Sequence, residues 1–412
     1  MIQLLLLLGC TNTTTNDSTE SVEVISAYAN AGENLSVERG LELHFNGNDS
    51  TGESFSWNFG DGNTANQKDA IHLYEEPGHY QAVLTSFAAD GSKDSDSMTV
   101  TVYEPLKERT PLISSNLALS EDAIWVLLEE AGSLTRIDRN TQERRIYDIC
   151  SKPKSLALSG ETIGITCFED SSLALFSIPS EEISFVELPL HSQPHGLIVI
   201  DQQWNIVLSA TGELAQLDDG ILARTKIGTD LRGISMLSDG RLALPRWRSS
   251  AIGGEVYIWD GVEVDTLVLD IDVHGDSDNT TGGLPNLLEN VYPSLDGSEL
   301  FIPMSHANIL RGTFRSNQIL NHETTLRGIL ATAKLSTLSE SFEQRKHFDE
   351  RGRATALAWS PLGDKLYVLH PATAGITILD RYNNQILGSI LDIGPSPSSL
   401  IMYEDGSILY VF

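Results

Sequence analysis

The chain of 412 residues is 41% hydrophobic and 20% charged, values of a globular protein with room for two or three domains. Its 57 acidic against 27 basic residues give a net charge of −30, a surface that repels phosphate backbones and so argues against nucleic acid as a partner. Three cysteines occur, and Cys-x-x-Cys-His, zinc-finger spacings and His-Glu-x-x-His are all absent, so the chain attaches no haem covalently.

The N-terminus reads "MIQLLLLLGCTNTTTNDSTES". The run Leu4 to Leu8 followed by Gly9-Cys10 resembles a bacterial lipoprotein lipobox, which implies lipidation of Cys10. The apolar run is short and no Lys or Arg precedes it; the alternative is an apolar N-terminus with an incidental cysteine. The Ser/Thr/Asn-rich stretch after Cys10 suits a tether, so residues 1–21 are read as signal and tether. No stretch of ~20 apolar residues follows, and a lipid anchor is the expected membrane contact. The resemblance implies a bacterial cell-envelope protein at the outer membrane, facing the periplasm or the exterior.

Residues 22–104 alternate apolar and polar residues in short runs broken by Gly/Asn/Asp clusters, the pattern of a small antiparallel sandwich. Phe55, Trp57 and Phe59 sit two apart and share one strand face, and Gly60-Asp61-Gly62 supplies turn positions of positive φ. The elements Trp57 to Gly62, His72 to Tyr74 and Gly78 to Leu84 resemble those of a PKD domain, with Ala82 in place of the usual valine. That resemblance implies an immunoglobulin-like spacer or interaction module. Trp57 is expected in its core; the alternative is a sugar-stacking platform at the surface.

Residues 105–412 carry a repeat of about 40 residues. Each unit opens with a short apolar strand: "NLALS" at Asn116, "SLALS" at Ser155, "GLIVI" at Gly196, "GISML" at Gly233, "NVYPS" at Asn290, "ALAWS" at Ala356 and "SLIMY" at Ser399. A turn, a second strand and usually a third follow. This period and alternation predict a β-propeller, most simply seven-bladed, with insertions in blades four and five. The expected fold is therefore all-β, a sandwich followed by a propeller. The array resembles YVTN/YncE-like propellers. The stretch Arg246 to Arg327, with "PRWRS", "GGEVYIWD", "SDNTTGGLPN" and "HANILRGTFRSNQILNHETTLRG", is similar to propellers that accompany di-haem cytochrome c peroxidase-like domains. That likeness implies a redox-associated scaffold and lends no catalytic residue.

The two insertions hold the candidate sites. In "DIDVHGDSDNTTGGLPN", Asp272, Asp276, Asp278 and Asn279 are close together, and Asp276, Asp278 and Asn279 are candidate Ca²⁺ ligands. Leu287 stands where an EF-hand loop requires glutamate, so an acidic solvated loop is the better reading and Ca²⁺ the alternative; no other cofactor is expected. Arg246, Arg248, Arg311, Arg315 and Arg327 form a local positive feature that either docks an acidic partner or ligand or neutralises nearby carboxylates within the fold. His274, His306 and His322 show no ligand spacing. Cys150 precedes the first strand of a blade and Cys167 ends its second; a hairpin brings both to one end, which permits a disulfide.

The chain stops on "GSILYVF", the second strand of the seventh repeat. Residues 106–115 have length to return one strand to close the ring, not two, so the last blade is expected to be incomplete, the stop a truncation, and Ile408 to Phe412 an open edge. The leading expectation is a non-enzymatic exported lipoprotein whose propeller binds a protein or ligand. The alternative is the propeller component of a periplasmic redox protein whose cytochrome-type haem domain lies outside this sequence. A hydrolase or quinoprotein is weakest, because no nucleophile–base pair stands out.

Overall fold

A computed structural model describes residues 26–274, 280–309, 319, 325–403 and 405–412. Nearly all described residues in regular structure lie in strands; single-turn 3₁₀ helices occur at Phe342–Gln344 and Pro371–Thr373. No helix among the described residues is long and apolar enough to cross a membrane. The chain forms two compact units, one ending at Val102 and the other starting at Tyr103.

The first unit is a sandwich of a five-stranded sheet and the two-stranded pair Glu42–Phe45 and Ala70–Leu73. Its core follows the alternation: Trp57, Phe59, Ala82 and Leu84 are buried, and Phe45 packs 5.2 Å from Trp57 and 4.9 Å from Phe59. Trp57 is fully buried and donates from Nε1 to the Lys68 carbonyl at 3.1 Å, so it is a core residue with its polar atom satisfied.

The second unit contains seven antiparallel sheets among the described residues. The strands that open each repeat are Leu117–Leu119, Pro153–Ser159, Pro194–Ile200, Ser235–Met236, Tyr292–Pro293, Ala356–Trp359 and Leu400–Met402, here called the inner strands of blades 1 to 7. All seven fall on the repeats expected from sequence. Residues from six of them, together with Arg232 and Gly233 just ahead of the blade 4 strand, line one axial cavity of about 1110 Å³. Interfaces between blades are apolar: Trp125, Ile163, Ile165 and Phe176 join blades 1 and 2, while Phe301 and Trp359 meet edge to face at 5.0 Å between blades 5 and 6. Blade 7 has two described strands, Leu400–Met402 and Leu409–Val411.

Two expectations about closure are corrected. The segment before blade 1 does not add a strand to blade 7. Leu112–Ile113 pairs with Ser235–Met236, on the axial side of blade 4. Ser114 N–H then donates to Ile234 O at 2.9 Å, Ser115 bridges Leu156 of blade 2, and Asn116 reaches Ser398 beside blade 7. The segment therefore crosses the axial cavity, because the short inner strand of blade 4 leaves backbone groups there to be paired. Nor is the end of the chain an open apolar edge throughout. Ile408 is 45% exposed, but Tyr410 and Phe412 pack with Ile401 against Leu117, Ile124 and Val126 of blade 1.

Candidate functional site

In each blade the inner strand begins where the antiparallel second strand ends, so these positions collect at one end of the propeller, its upper end. Arg232, Glu289 and Arg353 lie just before inner strands, and Trp247 and Arg248 follow the second strand of blade 4, Leu242–Pro245. The Arg232 guanidinium sits 4.0 Å from the Trp247 ring centroid and that of Arg353 5.1 Å from it. A tryptophan between two guanidiniums is a favourable cation–π arrangement.

The neighbouring charges are unequally matched. Arg353 pairs with Glu289 at 3.0 Å and Arg248 with Asp230 at 2.7 Å. Burial pushes the Asp230 carboxyl up, but the bonds from Arg248 outweigh it and hold it below the usual range. Arg232 makes no ion pair among the described residues, and burial pulls its guanidinium down from its ordinary value. His195, at the start of the blade 3 inner strand, is pushed down to about 3 by burial and by the charges of Arg232 and Lys154, so it is neutral. Arg232, His195 and Lys154 all border the axial cavity. The mouth thus presents one guanidinium with free donors, stacked on an aromatic face, which suits a planar carboxylate or a phosphate.

The expected arginine group is only partly assembled. Arg246 pairs with Glu255 at 2.6 Å, Arg248 with Asp230, and Arg327 with Asp349 at 3.2 Å. These three are matched by carboxylates within the fold. Arg311, Arg315 and His322 lie outside the described residues, as do Cys10 and the candidate Ca²⁺ ligands Asp276, Asp278 and Asn279. Sequence reasoning missed Arg232 and Arg353; the available signal was an arginine placed just ahead of two inner-strand repeats, "RGISM" and "RATALAWS".

Beside the mouth, blade 5 and the end of blade 4 form a second cluster. Asp272, His306 and His347 bring one ligand atom each within 4.8 Å of the others. His306 ends the strand Glu299–Ala307, and His347 lies on Lys346–Phe348, paired to the strand Leu326–Lys334 between them. Nδ1 of His306 donates to Thr281 O at 2.8 Å, and Arg345 Nη1 donates to its Nε2 at 3.0 Å. Burial pushes both imidazoles down to about 4, with Asp272 opposing the shift. His347 was not anticipated, since it is 41 residues from His306 and on another strand. His274 bonds Asp272 at 2.9 Å. At the upper end of blade 2, Cys150 and Cys167 are joined by a disulfide with Cα atoms 5.8 Å apart.

Comparison with known proteins defines the class in two parts. Residues 27–102 match the family profile of the PKD domain. The remainder is a β-propeller of a widely shared kind. Hydrazine synthase of Kuenenia stuttgartiensis superposes with a TM-score of 0.58 at 14% identity, covering 72% of this chain and 91% of that one. A streptogramin B lyase gives 0.53 at 12% identity over 73% and 94% of the two chains. Virginiamycin B lyase from Staphylococcus aureus gives 0.52 at 12% over 73% and 94%. At such identities the likeness is one of fold. No curated protein sequence matches the chain.

Proposed function

We propose that the protein is an exported, lipid-anchored, non-enzymatic binding scaffold, in which a PKD domain accompanies a propeller that takes an acidic partner or ligand at its upper mouth. The observation that carries this reading is Arg232: a guanidinium stacked on Trp247 at the cavity mouth and without an ion pair among the described residues. In a chain of net charge −30, such a donor is a localised exception that selects one docking point for an anion. The envelope location rests on the lipobox-like Leu4 to Cys10, and Cys10→Ser is expected to move the protein from the membrane to the soluble fraction.

The binding site is tested by titrating the full chain with a glutamate-rich peptide and, separately, with inorganic phosphate at low salt, following tryptophan fluorescence. Saturable quenching is expected with at least one probe, and Arg232→Gln should weaken it roughly tenfold, the worth of a charge-assisted bond. Equal binding by the variant removes the site. A second reading, that the propeller belongs to a periplasmic haem redox assembly, rests on the stretch Arg246 to Arg327. Native complexes purified without a haem Soret band would remove it.

A further inference from the structure

The cluster beside the mouth poses a charge problem. Asp272 is 5% exposed, and no Lys or Arg lies within ion-pair distance of its carboxylate among the described residues; its polar partner is His274. A buried carboxylate without a matching cation is costly. Facing it are His306, fully buried, and His347, which meets His306 edge-on with ring centroids 5.4 Å apart.

His306 is arranged as metal-binding histidines usually are. Its Nδ1–H is tied to a backbone carbonyl, that of Thr281, which fixes the tautomer and turns the Nε2 lone pair inward. Thr281 N–H donates to Nδ1 of His347 in a long bond of 3.4 Å, at the weak end of such bonds. We propose that Asp272, His306 and His347 form a binding site for a divalent transition-metal ion, with Zn²⁺ the best fit. Two nitrogens and one carboxylate oxygen suit Zn²⁺, whereas Ca²⁺ takes oxygen ligands throughout. Ligand atoms on a tetrahedral zinc lie about 3.3 Å apart, so closure from within 4.8 Å requires modest side-chain rotation.

Arg345 competes for the same lone pair. Its Nη1 donates to His306 Nε2, yet the guanidinium keeps three other bonds, two to Glu340 at 2.5 and 2.7 Å and one to Asp270 O at 2.6 Å. Glu340 already matches its charge. An ion that takes the Nε2 lone pair therefore displaces one of four Arg345 bonds and places a divalent cation against the Asp272 carboxylate.

The test is calorimetric titration of the full chain, stripped with a chelator, using Zn²⁺ alone, with thermal melts of the same samples. One Zn²⁺ per chain and a rise in melting temperature are expected. His306→Ala/His347→Ala should lose at least 100-fold in affinity and the melting shift. Asp272→Asn, which conserves volume, should lose at least tenfold and guards against misfolding of the double variant. Absence of stoichiometric binding overturns the site. So does undiminished binding by either folded variant, which would assign the ion to surface groups.

Discussion

Asn290 of blade 5 donates from Nδ2 to the backbone carbonyl of Ser114, 176 residues earlier, at 2.8 Å. Both residues are buried, and Ser235 Oγ in turn donates to Asn290 Oδ1 at 3.2 Å. This amide holds the chain segment that crosses the cavity. Asn290→Ala leaves the Ser114 carbonyl unpaired and is expected to cost about 1–3 kcal/mol. Urea unfolding should show a lower midpoint with an unchanged m-value; an unchanged midpoint would mean that the amide does not secure the segment.

Blade 2 packs on blade 3 through an absent side chain. A Cβ on Gly164 would lie 2.4 Å from the Trp204 ring, and Gly164 is in the middle of a strand, Thr162–Cys167. Gly164→Ala is expected to destabilise by about 1–3 kcal/mol through overpacking, although alanine is ordinarily the better residue in a strand. Pairing it with Trp204→Phe should recover part of the loss, measured as a double-mutant cycle.

The Cys150–Cys167 disulfide closes a loop of sequence separation 17 between the exit of blade 1 and the second strand of blade 2. Loops of this size correspond to about 3 kcal/mol of chain-entropy stabilisation. The double variant Cys150→Ser/Cys167→Ser should melt lower than the wild type, and added reductant should lower the wild type only. Identical melting of the two proteins would show that the link contributes nothing to stability.

His370 is fully buried, and its Nε2 contacts Thr377 Oγ1 at 3.1 Å. Burial, aided by the charge of Arg351, pushes it down to about 3 from an ordinary value near 6.5. Below pH 6.5 the unfolded chain takes up a proton that the folded chain refuses, so stability is lost as pH falls from 6.5 towards about 3. The slope for one such group is ~1.4 kcal/mol per pH unit. His370→Gln should flatten the pH dependence of unfolding between pH 6.5 and 4.5 by that amount, and the His370 ring proton should not titrate in that range by NMR.

The propeller was legible because its inner strands carry a local signal. Apolar pentads such as "SLALS" and "ALAWS", each followed by a turn and a second apolar strand, place all seven sheets. Trp57 and Phe59 were placed in the sandwich core by alternation alone. What escaped depends on contacts between distant segments. Leu112–Ile113 is too short to read as a strand, and its partner is over 120 residues away. His347 joins His306 only because two strands flank a third. Arg232 differs from Arg246 not in type or spacing but in making no ion pair among the described residues, its neighbours Asp230 and Glu289 being paired with Arg248 and Arg353, which only the fold decides.

The segment that crosses the axis also dictates a timetable. A propeller whose blades met only their neighbours would be assembled as it leaves the ribosome, one sheet after another. Here the residues ahead of blade 1 find their partners in Ile234, Ser235, Asn290 and Leu295. Those partners are synthesised more than a hundred residues later, and local assembly gives way to a long-range step. Leu112 and Ile113 must wait unpaired until blade 4 emerges, and Lys107 and the Ser114 carbonyl until blade 5, so the early blades mature around an axis that is settled only once most of the ring exists.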